Sequence, residues 1–196
     1  RGASSGTSLN RASEERLNPR FLLDLTGPSV FVDTACSSSL VAVNRALASI
    51  RSGESCMAIA GGVNLLLSDS LYDVLERSEF LSPDGRCHTF DRQANGYVRS
   101  EGVGAIFLKP LHLALQDGDP IHAVLLGGAE NHGGRTNTIT APNVQAQSDL
   151  LVSAYRNAGI DVNTVSYVEA HGTGTALGDP IEINALKSAF EVLRKD

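Results

Sequence analysis

Apolar and polar positions follow two rhythms along this chain. Val30, Phe31 and Val32 form a short β-branched and aromatic run that predicts a buried strand. Leu40, Val43, Leu47 and Ile50 then recur at the period of a helix with one buried face, which Ser52-Gly53 ends. Met57 to Val63 predicts a second buried strand, and the strand, helix, strand order favours a parallel βαβ unit. Leu71, Val74 and Leu75 place a helix within Ser68 to Leu75. Val103 to Leu108 and Ile121 to Leu126 read as strands, separated by a brief helix and an Asp-Gly turn within Lys109 to Asp119. With no long crossover between them, that pair is expected to be antiparallel.

The second half returns to the helical rhythm. Leu150, Leu151, Ala154, Tyr155 and Ala158 share one side of a helix closed by Gly159. Thr164 to Val168 predicts a strand leading into Glu169-Ala-His-Gly-Thr-Gly-Thr175. The last helix opens on Asp179-Pro180-Ile181-Glu182, with Asp179 as cap, Pro180 in the first helical position and Glu182 in capping-box register. Its expected buried stripe is Leu186, Ala189, Phe190 and Leu193. Between these elements lie a polar stretch at residues 1–20 and two long aperiodic loops, Ser82 to Tyr97 and Asn131 to Asn143. Turn residues dominate both loops, and loops of that length are uncommon unless functional. No repeat or linker interrupts the chain, which predicts one compact unit.

Composition narrows the classes. The 196 residues suffice for one domain or part of a larger one, and the first residue, Arg1, suggests an excerpt. Hydrophobic residues make up 42% and charged residues 19%, the profile of a globular protein. A net charge of -6 with no Lys/Arg cluster argues against a nucleic-acid surface, and no apolar run approaches membrane-spanning length. Cys36, Cys56 and Cys87 include no Cys-x-x-Cys pair, which points to reduced thiols in a cytoplasm rather than a disulfide scaffold or a metal site.

Two positions carry candidate chemistry. Cys36 falls between the first predicted strand and its helix, among Ala35 and Ser37 to Ser39. A thiol at a helix start meets unpaired N–H groups and the positive end of the helix dipole, and both favour the nucleophilic thiolate. A lone cysteine in a Val/Ala-rich segment is otherwise an inert small hydrophobe. His171 follows a predicted strand, where Gly172 and Gly174 allow close approach and Thr173 and Thr175 supply hydroxyls. An imidazole there can donate to a carbonyl or take a proton. A thiol and a histidine, each delivered at a strand end, make the inert reading of either one unattractive.

Asp33-Thr-Ala-Cys-Ser-Ser-Ser-Leu40 together with Glu169-Ala-His-Gly-Thr-Gly-Thr175 resembles the β-ketoacyl synthase (ketosynthase) domain of modular polyketide synthases and type I fatty acid synthases. The resemblance runs from Asp24 to about Phe190 and includes Gly61-Gly-Val-Asn64, Ser82-Pro-Asp-Gly85, Ser100-Glu-Gly102 and Gly178-Asp-Pro180. Residues 1–20 match the family poorly, and residues 21–196 correspond to the nucleophile-bearing half and the start of the second. Loop Asn131 to Asn143 is similar to those of synthases whose acyltransferase acts in trans.

The resemblance implies an α/β, thiolase-like layered fold (αβαβα), present here in part, that forms homodimers. It implies that Cys36 takes an acyl chain as a thioester and that His171 stabilises the enolate of a decarboxylating malonyl unit. Thr173 and Thr175 would hydrogen-bond the phosphopantetheine arm of an acyl carrier protein, and no cofactor or metal would bind the domain itself. The family's second histidine, in an Asn-x-Gly-His motif, has no counterpart among His88, His112, His122 and His132. The alternatives are a ketosynthase that transfers acyl chains without elongating them, or a non-catalytic subunit that shapes the acyl pocket.

Overall fold

The computed structural model describes residues 19–138 and 141–194. The expected N-terminal loop, up to residue 18, and positions 139–140 of the second long loop lie outside the described residues. Helix α1 spans Ser38–Arg51, β1 Ala58–Asn64, α2 Ser70–Arg77, β2 Gly102–Leu108, α3 Leu111–Asp117, α4 Val144–Ala158 and α5 Gly178–Leu193. Gly118 and Gly159 close α3 and α4 in the left-handed conformation, as the turn residues predict. Asn143 caps α4, its side chain accepting from the backbone N–H groups of Gln145 and Ala146.

Among the described residues the sheet consists of β1 and β2, antiparallel, with Ile59 opposite Phe107 and Val63 opposite Val103. This corrects the strand assignments. Val30 to Val32 joins no ladder, so α1 does not complete a parallel βαβ unit with β1. Ile121 to Leu126 is also outside the ladder, and β2 takes β1 as its partner instead. Thr164 to Val168 begins in a 3₁₀ turn, Val162–Thr164, and continues without pairing. An apolar run becomes a strand only where a neighbour offers N–H and C=O groups in register, and composition alone does not report that neighbour.

Packing is concentrated in two places. Helix α1 lies on β1, where Ala60 is buried. Helix α4 packs on α5 through Val152, Ala185 and Ala189, with the Tyr155 and Phe190 rings edge to face at 5.8 Å. Segment 126–131 joins the two. The Arg51 guanidinium and the Asn157 amide donate to the carbonyls of Leu126 and Gly128, at 2.7 and 3.2 Å. Asn44 of α1 donates to Glu130, and Asn131 donates to the Ala146 carbonyl on α4. The expected stripe of α1 is only partly covered, since Leu40 is 76% exposed.

Candidate active site

Cys36 sits in a 3₁₀ turn, Ala35–Ser37, that runs directly into α1. Short polar side chains fix the turn. The Thr34 N–H donates to Ser38 Oγ at 2.8 Å, Ser38 Oγ donates to the Ala35 carbonyl at 2.7 Å, and Ser37 Oγ donates to the Thr34 carbonyl at 3.0 Å. Ala35 holds φ +57°, a left-handed conformation that costs a residue with a Cβ about 1–2 kcal/mol. Such strain concentrates where a side chain must be aimed. The result is an exposed thiol at the tip of a rigid turn, and Cys56 and Cys87 are exposed free thiols as well.

His171 is carried by an irregular loop that α5 holds from below. Both oxygens of the Glu182 carboxylate are engaged, by the N–H of His171 at 2.6 Å and the N–H of Gly172 at 2.8 Å. Asp179, only 4% exposed, accepts from the N–H of Gly174 at 3.0 Å and from the N–H of Phe90 at 2.6 Å. These bonds correct the capping reading. Helix α5 starts at Gly178 with Leu177 as its N-cap and no side-chain cap, because Asp179 and Glu182 bind the histidine loop instead of their own helix end. Their acidic identity was visible in the sequence, but the tertiary partner that claims them was not.

Thr173 and Thr175 lie side by side, their hydroxyls 3.0 Å apart, and Thr175 Oγ1 also accepts from the Gly178 N–H. The pair owns two hydroxyl hydrogens, and their mutual bond occupies one. The other remains for an acceptor outside the pair.

Loop Ser82 to Tyr97 packs against the histidine loop. On one side the Gly96 N–H donates to the Gly174 carbonyl at 2.9 Å, and Thr89 Oγ1 donates to the Gly172 carbonyl at 2.6 Å. On the other side is Tyr97, anchored by its N–H to the Phe80 carbonyl at 2.9 Å. Its phenol is raised above its usual pKa first by burial and then by the charge of Cys36, against an opposing effect from Arg99. Tyr97 therefore keeps its proton at neutral pH. His88 pairs with Asp84 at 3.2 Å in the same loop, and the His132 Nδ1 accepts from the Gly134 N–H.

Two sequence-family profiles match the chain, the N-terminal domain of β-ketoacyl synthases over residues 20–114 and their C-terminal domain over residues 122–196. The chain belongs to the β-ketoacyl synthase family. It is 53% identical over 173 residues to polyketide synthase PksN of Bacillus subtilis, covering 88% of this chain and 3% of that protein. It is also 53% identical over 168 residues to the lovastatin diketide synthase mokB of Monascus pilosus, covering 86% of this chain and 7% of that protein. The ketosynthase from module 6 of the bacillaene synthase of Bacillus subtilis superposes with a TM-score of 0.86 at 45% identity, over 88% of this chain and 31% of that one. The fold is therefore the thiolase-like α/β fold of ketosynthases, of which this chain forms part.

Proposed function

We propose that this chain supplies the nucleophile and the first histidine of a ketosynthase that lengthens polyketide chains. The observation that carries the reading is the way α5 clamps the His171 loop, with Glu182 on the His171 and Gly172 N–H groups and Asp179 on that of Gly174, in a chain that also presents Cys36 on a strained turn. In the proposed reaction the Cys36 thiolate attacks an acyl thioester and expels the pantetheine thiol, giving an acyl-enzyme. A thioester keeps the acyl carbon electrophilic for the second step. Malonyl thioester loses carbon dioxide to give an enolate, and His171 donates a hydrogen bond to its oxygen. The enolate carbon attacks the acyl carbonyl, a carbon–carbon bond forms, and the Cys36 thiolate leaves.

In the same reading the free hydroxyl hydrogen of the Thr173 and Thr175 pair meets an amide carbonyl of the pantetheine arm. The acyl and malonyl groups arrive on acyl carrier protein, the domain works as a cytoplasmic homodimer without a cofactor of its own, and loop Asn131 to Asn143 supports a synthase charged by a trans-acting acyltransferase. No helix of the described residues is long and apolar enough to cross a membrane. Residues Arg1 to Asp196 contain no Asn-x-Gly-His, so the chain on its own is expected not to condense acyl groups.

Mass spectrometry of the chain after incubation with an acyl N-acetylcysteamine thioester tests this. The acyl mass should appear on the Cys36 peptide in clear preference to the exposed Cys56 and Cys87, and Cys36→Ala should abolish it. Equal labelling of the three thiols would sink the assignment.

A further inference from the structure

We propose that Thr89 is a positioning residue for His171, an inference that rests on the ketosynthase reading above. Thr89 Oγ1 donates to the carbonyl of Gly172, at 2.6 Å. That carbonyl belongs to the Gly172–Thr173 peptide, one unit beyond the His171–Gly172 peptide, so the bond fixes the path of the chain as it leaves the histidine. The Thr89 methyl also leaves no room for a side chain at Gly172. Gly172 holds φ +51°, and a Cβ there would stand 2.6 Å from Thr89 Cγ2, so the hydroxyl and methyl of Thr89 both press on this one residue.

The strain beside Thr89 supports the same view. Phe90 has φ +57°, unusual for a bulky side chain, and its N–H is held by Asp179 Oδ2. The loop is therefore bent against its own preference to meet the histidine loop. Glu182 holds the Ala170–His171 and His171–Gly172 peptides through their N–H groups, and Thr89 holds the next peptide, Gly172–Thr173, through its carbonyl. Three successive peptides around His171 are thus each tied at one group, two through N–H and one through C=O. Removing the Thr89 hydroxyl frees the last of these three ties and leaves the Cys36 turn, which is fixed by its own serines and Thr34, as it was.

The test separates the two half-reactions in a polypeptide that continues this chain through an Asn-x-Gly-His segment. Thr89→Val keeps the side-chain shape without the hydroxyl, whereas Thr89→Ser keeps the hydroxyl without the methyl. Thr89→Val should lower the condensation kcat about fivefold to tenfold, the effect of one lost hydrogen bond, while acylation of Cys36 proceeds at the unsubstituted rate. Thr89→Ser should restore condensation to within about twofold. Unchanged condensation in Thr89→Val overturns the proposal. So does a parallel fall of both half-reactions, which would mark a structural role only. If the unsubstituted polypeptide fails to acylate Cys36, the ketosynthase reading falls, and the Thr89 assignment with it.

Discussion

A carboxylate as buried as Asp179 is tolerable only if hydrogen-bond donors replace the water it has lost. The backbone N–H groups of Phe90 and Gly174 do so, and in return the carboxylate joins α5, the long loop and the histidine loop at one point. Asp179→Asn has nearly the same shape but offers one acceptor oxygen in place of two. Its amide nitrogen must face an N–H, leaving that donor unsatisfied and costing about 1–3 kcal/mol. Urea unfolding should show a lower midpoint at unchanged slope, and amide exchange at Phe90 or Gly174 should quicken. An unchanged midpoint would mean that the site relaxes around the amide. At this scale Cys36 and His171 could be picked out as candidates because their motifs are local. Asp179 and Glu182 were misread because a capping box and a loop clamp draw on the same acidic residues, and only the fold decides between them.

The turn that carries Cys36 depends on how closely α1 approaches the sheet. Gly62 of β1 faces Ser39, and a Cβ at that position would overlap Ser39 Oγ and stand 3.2 Å from Ser39 Cβ. Glycine therefore lets the helix start rest almost on the strand backbone. Gly62→Ala should push the first turn of α1 outward, costing about 1–3 kcal/mol by overpacking and slowing acylation of Cys36 three residues upstream. Adding Ser39→Ala removes the overlapping oxygen and should recover part of both losses. A double-mutant cycle reads that coupling directly, and purely additive effects would show that the contact does not set the helix position. The same contrast explains which elements could be read from the sequence. Helices α1, α4 and α5 announced themselves through periodicity and turn residues, because their bonds close within a few positions. The runs at 30–32, 121–126 and 164–168 have strand composition, but a ladder needs a distant partner, and β1 found its partner in β2.

Among the described residues, one face of that ladder stands bare. Side chains alternate along β1, so Ala60 turns toward α1 and is buried while Ile59 and Val63 turn away. Across the register, Phe107 and Val103 share their side. Ile59, Val63, Val103 and Phe107 are 50%, 67%, 84% and 62% exposed, an uninterrupted apolar strip over the sheet. The chain spans 31% of the bacillaene ketosynthase on which it superposes, so more than two thirds of that structure has no counterpart here. Apolar strips on open two-stranded sheets drive association in water. The isolated chain should therefore bind a dye such as ANS strongly and sediment as concentration-dependent oligomers. Val103→Thr with Phe107→Lys places polar groups on the strip without altering the face against α1. The double variant should lower dye fluorescence and shift sedimentation toward the monomer, with the β1–β2 ladder still protected from amide exchange. If the unsubstituted chain proves monomeric and dye-silent, the strip is covered in solution by the chain's own residues, and the packing of the sheet differs from the one described.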